Sequence, residues 1–77
     1  MKELLEFIVK GLVDNPDAVE VHEIESGSRV TLELAVASDD MGRVIGRRGR
    51  VINAVRALVQ VKAARLGKMV DIELLEE

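Results

Sequence analysis

The stretch DDMGRVIGRRGRVINAVRALVQ (residues 39–60) holds five arginines and three glycines and, after its opening pair of aspartates, no acid. Gly46 and Gly49 bracket Arg47 and Arg48. A glycine at each end of so short a segment frees dihedral angles that other residues avoid and removes the Cβ that would keep another backbone away. Ahead of this turn, Met41 to Ile45 is long enough for little more than one helical turn, and Ser38, Asp39 and Asp40 are candidate N-caps for it. Behind it, Val51, Ile52, Val55, Leu58, Val59 and Leu66 form a broad apolar face over residues 50–66, with Gly67 placed as a C-cap. The stretch therefore predicts a short helix, a cramped turn and a long helix.

Toward the N-terminus the period changes. Val30, Leu32, Leu34 and Val36 alternate with Arg29, Thr31, Glu33 and Ala35, and Val19 and Val21 alternate with Glu20 and His22, which reads as two strands. Gly27 in ESGS (25–28) supplies a turn, so the pair is expected to form an antiparallel hairpin. Ile24 is out of phase with Val19 and Val21 and predicts a bulge or a frayed end. Residues 2–14 carry Leu4, Leu5, Ile8 and Leu12 at helical spacing, and Pro16 is expected to stop that first helix. Toward the C-terminus, Val70, Ile72 and Leu74 alternate with Met69, Asp71 and Glu73 as a third strand.

The order is α-β-β-α-α-β, an α+β arrangement. Strands one and two pair as a hairpin, and the helical crossover permits strands two and three to run parallel. The expected product is a three-stranded mixed sheet with three helices packed on one face. No linker or repeat interrupts the 77 residues, so residues 1–77 read as a single domain. A chain this short buries only about 60% of its unfolded surface.

Composition narrows the function. The chain has no cysteine, which excludes a disulfide framework, a zinc knuckle and thiol catalysis. His22, the only histidine, reads as an exposed strand residue and not a metal ligand or catalyst, and no cofactor is expected. The segment MKELLEFIVKGLVDNP (1–16) is broken by Glu3, Glu6 and Lys10, unlike an export signal, and no run is long enough to span a bilayer. The expected setting is the cytoplasm, with no membrane partner. Net charge is −3, yet residues 41–70 carry eight bases and no acid, leaving three bases and all fourteen acids elsewhere. The chain divides into a +8 segment and a −11 remainder, a distribution that produces a directional field.

The glycine turn sits in the middle of the positive segment, at the start of a helix whose free N–H groups favour anions. Three phosphate-binding schemes compete for it. A P-loop needs four residues between its glycines and then Lys with Ser or Thr, whereas Gly49 is followed by Arg50 and Val51. A dinucleotide fingerprint needs G-x-G-x-x-G directly after a strand, whereas Gly42, Gly46 and Gly49 are spaced differently and a helical turn intervenes. The third scheme, G-x-x-G between two helices, clamps a single-stranded nucleic-acid backbone in KH domains.

At these residues the sequence resembles the type II KH signature, with Ile45 directly before the G-x-x-G loop and Ile52 shortly after it. The order beginning with a helix is that of type II, and the resemblance runs from the first helix to the last strand. It is similar to the small bacterial KhpA family.

The resemblance implies a groove for about four nucleotides, lined by the short helix, the glycine loop, the start of the long helix and the second strand. Carried over by position, Gly46, Arg47, Arg48 and Gly49 would clamp phosphates and sugars, and Gly42 and Arg43 would line one wall. Arg50 and Asn53 would reach the backbone or a base edge, and Ile45 and Ile52 would be core with one edge on the apolar floor. Asn53 also reads as an ordinary polar-face residue. Arg56, Lys62, Arg65 and Lys68 read as a solvated face adding long-range attraction, and Asp39 and Asp40 as helix caps.

Phe7 is the only aromatic and lies in the first helix, away from this groove, so base stacking cannot supply the affinity. Modest, salt-sensitive binding is expected, which a second linked site would raise. The resemblance implies the same: a homodimer, and a heterodimer with a larger RNA-binding protein of the KhpB (Jag) type. It implies a non-catalytic RNA chaperone or post-transcriptional regulator that affects bacterial cell elongation and division. The other reading is a protein-interaction adaptor that uses the fold mainly to dimerise.

Overall fold

The computed structural model describes residues 1–76. Its elements are α1 (Lys2–Lys10), β1 (Glu20–Ser26), β2 (Arg29–Ala35), α2 (Met41–Ile45), α3 (Arg50–Arg65) and β3 (Met69–Leu74), with 3-10 turns at Pro16–Ala18, Ser38–Asp40 and Arg47–Gly49. This is the α-β-β-α-α-β order and the mixed sheet expected of a type II KH fold. The sheet order is β1-β2-β3, with β2 antiparallel to β1 and parallel to β3.

Alternation sets which face is covered. Val30, Leu32 and Leu34 of β2 are fully buried, and Val70 and Ile72 of β3 and Val21 of β1 join them beneath the helices. Their neighbours Arg29, Thr31 and Glu33 share the opposite, open face with Met69, Asp71 and Glu73. From the helices, Leu5 and Val9 of α1, Val44 of α2, and Ile52, Val55, Val59 and Ala63 of α3 complete an aliphatic core. β1 pairs with β2 without interruption from Glu20 to Ser26, so the bulge expected at Ile24 does not form. Ile24 lies opposite Thr31 on the open face and is exposed, which is why it is out of phase with Val21.

α1 ends at Lys10, four residues short of the expected boundary. Pro16 is not what stops it. The N–H groups of Asp14 and Asn15 donate to the two carboxylate oxygens of Asp40, at 3.0 and 3.1 Å, so the chain turns away to meet that buried side chain. Pro16 instead opens the next 3-10 turn. Leu12, expected on the apolar face, is consequently exposed. Asp40 was expected to cap α2 and makes no such bond, its oxygens being committed to the α1–β1 connection. α3 ends as expected on Gly67 (φ +69°), where Lys68 N–H donates to Ala63 O and Gly67 N–H to Ala64 O. That pair of bonds is the Schellman closure.

Candidate nucleic-acid interface

The turn between α2 and α3 depends on its glycines for two different reasons. Gly46 sits at φ +73°, ψ +173°, a region essentially reserved for glycine, and a Cβ there would lie 2.8 Å from the backbone nitrogen of Val51. Gly49 sits at φ +76°, ψ +14°, left-handed but with room around it, the nearest atom being Asn53 Nδ2 at 3.7 Å. Between them Arg48 also takes a left-handed conformation (φ +59°), at a cost of roughly 1–2 kcal/mol for a non-glycine residue. Gly49 N–H donates to Gly46 O and Arg50 N–H to Arg47 O, so the turn is tied off internally and α3 starts at once.

No side chain caps α3, and its first turn contains no acid. The positive end of its dipole therefore faces the turn with Arg47, Arg48 and Arg50, all exposed, gathered around it. Positive side chains at a helix N-terminus are unfavourable in the isolated chain. Among the described residues no carboxylate pairs with these three arginines, although other cations find partners: Arg29 with Asp71, Lys68 with Glu25, and Arg43 with Asp14 (2.8 Å) and Asp40 (3.4 Å). The arrangement concentrates unneutralised donors where an anion would be most stabilised.

The other residues singled out in the sequence surround this turn in graded fashion. Gly42 is exposed on α2, and a Cβ added there would meet nothing within 4 Å. Arg43 is exposed but held by its two aspartates, so it braces α2 against the α1–β1 connection. Ile45 is half-buried beside a hollow of about 230 Å³ with Met41, Val36 and Leu75. Ile52 is buried in the core. Asn53 is exposed on the first turn of α3, above Gly49.

The free strand edge beside α3 is that of β3, whereas the resemblance implied a groove lined by the second strand, β2. β2 is paired on both sides and its inward side chains are fully buried, so it has no edge to offer. β3 forms the sheet's edge next to α3, and two side chains from α3 reach it: Arg56 Nη2 donates to Ile72 O at 3.3 Å and Gln60 Nε2 to Val70 O at 2.6 Å. The sequence placed Arg56 on a solvated face and did not single out Gln60. Their spacing from Asn53, three and then four residues, was the available signal for a common helical face.

A family model described as KhpA/KhpB, KH domain, matches residues 2–74. The chain belongs to the KhpA/KhpB KH-domain family. Among the relatives of this family, the RNA-binding protein KhpA of Caldanaerobacter subterraneus subsp. tengcongensis is 49% identical over 75 residues, covering 97% of this chain and 100% of the relative. The RNA-binding proteins KhpA of Clostridium acetobutylicum (45% over 75 residues, 97% and 100%) and Borreliella burgdorferi (46% over 74 residues, 96% and 90%) are similar throughout as well. No solved structure gives a significant match. The KhpA/KhpB match spans every element from α1 to β3, so the glycine turn and the β3 edge both lie inside the matched domain.

Proposed function

We propose that this chain is a non-catalytic, cytoplasmic RNA-binding module that holds a short single-stranded segment at the Gly46–Gly49 turn. It would act as an RNA chaperone or post-transcriptional regulator linked to bacterial cell elongation and division. The observation that carries the reading is the cluster of Arg47, Arg48 and Arg50, unpaired by any carboxylate among the described residues, around the uncapped N-terminus of α3. The names of the KhpA relatives support RNA as the polyanion. In the test, Arg47→Asp combined with Arg48→Asp leaves the circular dichroism in place, does not lower the unfolding midpoint, and abolishes binding to single-stranded RNA at low salt. Unchanged affinity would remove the proposal.

The partner reading has its own support. Leu58 and Val61 of α3, and Leu66 just past its end, border a shallow groove with Leu4 of α1, and Phe7, 79% exposed, lies one turn along α1. Leu58 and Leu66 were read as part of the apolar face of the long helix, but both are exposed, and Ala63 points into the core. A second copy of the chain is the occupant the family resemblance implies, with the KhpB-type protein as the heterologous alternative. Joining two weak RNA sites raises avidity without new contacts.

A further inference from the structure

The edge of β3 presents a chemistry that the glycine turn lacks. Met69 N–H and Leu75 N–H donate toward β2, to Ser28 O and Leu34 O, so the odd-numbered residues of β3 face β2. The even-numbered ones turn their N–H and C=O groups to the free edge. There the carbonyls of Val70 and Ile72 are already occupied by Gln60 and Arg56. Arg56 Nη1 also donates to Asn53 Oδ1 at 3.3 Å, which uses the acceptor of that amide and leaves its NH₂ group. Two of the five guanidinium donors of Arg56 are thus engaged and three remain. A hollow of about 280 Å³ opens at this point between α3 and β3. Asp71 also borders it, and one oxygen of its carboxylate accepts from Arg29 Nε at 3.0 Å. At Arg56 itself, the Ile72 carbonyl and the Asn53 amide oxygen are engaged, and the groups the guanidinium still offers are three donors.

We infer that Arg56 is a base-selecting residue of this interface, favouring a base that presents two adjacent acceptors, guanine (O6 and N7) or cytosine (O2 and N3). A planar fork of N–H groups meets two neighbouring acceptors at once. Adenine sets its amino donor beside N7 and N1, and uracil interposes N3–H between its two oxygens, so each would leave a donor facing a donor. The Ile72 carbonyl and Asn53 hold the guanidinium beside the strand edge, about two helical turns beyond the glycine turn, where the base of a clamped nucleotide would project. The inference rests on the RNA-binding reading and deepens it, because Arg47 and Arg48 at the turn would clamp the sequence-blind backbone.

The experiment is fluorescence anisotropy with the full chain at low salt. The probes are a short uridine oligonucleotide and three copies carrying a central dinucleotide of adenine, cytosine or guanine. The guanine or the cytosine oligomer is expected to bind roughly five- to a hundredfold more tightly than the uridine one. Arg56→Lys keeps the charge and removes the fork, and is expected to erase that preference. 7-Deazaguanine, which lacks N7, weakens binding if guanine is the base chosen. Equal affinity for all four oligomers, or a preference that survives Arg56→Lys, overturns this inference and leaves the RNA-binding reading standing. Failure to bind any of them overturns both.

Discussion

The two ends of α3 both carry positive side chains, and they do so for opposite reasons. At the C-terminal end, Lys62 and Arg65 lie in the last turn, where the helix dipole is negative and cations stabilise it by about 0.3–1 kcal/mol each. At the N-terminal end, Arg47, Arg48 and Arg50 crowd the positive pole, where the same physics predicts Asp or Glu. The first group is explained by the folded chain alone. The second has no partner acid among the described residues, and the proposed RNA ligand would supply the missing negative charge. A charge that stabilises its own helix says little about function, whereas one that opposes it points to a ligand.

The glycines at the two ends divide in the same way, and substituting them has the largest expected effect. Gly46→Ala combines a glycine-only conformation with a Cβ 2.8 Å from the Val51 backbone, and should cost roughly 3–4 kcal/mol or prevent folding. Gly67→Ala meets nothing within 4 Å and suffers only the left-handed conformation, about 1–2 kcal/mol. Urea unfolding of the two variants tests the difference. Equal losses would mean that the α2–α3 turn relaxes freely and is not the rigid clamp inferred from its geometry.

Salt dependence sharpens the contrast at intermediate scale. Each cation that neutralises a phosphate of a single strand contributes about −0.7 to the slope of log affinity against log salt. Removing Arg47, Arg48 or Arg50 singly by alanine should make the slope shallower by about that amount. Lys62→Ala and Arg65→Ala should leave it unchanged. A slope that responds equally at both ends would reassign binding to the general basic field of residues 41–70.

Much of this was legible in the chain because it is local. The period-two runs of β2 and β3, the glycine spacing and the charge segregation each declare themselves within a few residues. Buried Asp40 reads as a helix cap in the sequence because its partners, the N–H groups of Asp14 and Asn15, lie about 25 residues away and carry no side-chain signature. The same pairing moves the end of α1. Arg56 and Gln60 do not stand out because they reach backbone carbonyls of β3, contacts that exist only once the crossover has placed α3 beside that strand. The resemblance put β2 in the groove, and sequence order alone does not reveal that β2 is the central strand. On α3, the width of the apolar stripe hides the division between an inward face ending at Ala63 and an outward one containing Leu58, Val61 and Leu66.

The smallest effect discriminates most cleanly, because its sign inverts from one end of α3 to the other. Arg50 is the first residue of the helix and Arg65 the last, and both are exposed. Arg50→Glu places an acid at the positive pole and relieves repulsion with Arg47 and Arg48, so the free chain should gain about 0.3–1 kcal/mol in stability. Arg65→Glu places an acid at the negative pole and should lose a similar amount. RNA affinity should not follow stability, falling sharply for Arg50→Glu and little for Arg65→Glu. A variant that is more stable and binds less well shows that the native arginine is kept at the expense of the fold for the sake of the ligand. If Arg50→Glu instead destabilises the chain, the residue has an intramolecular partner that the structure does not contain, and the N-terminal end of α3 loses its claim to be different.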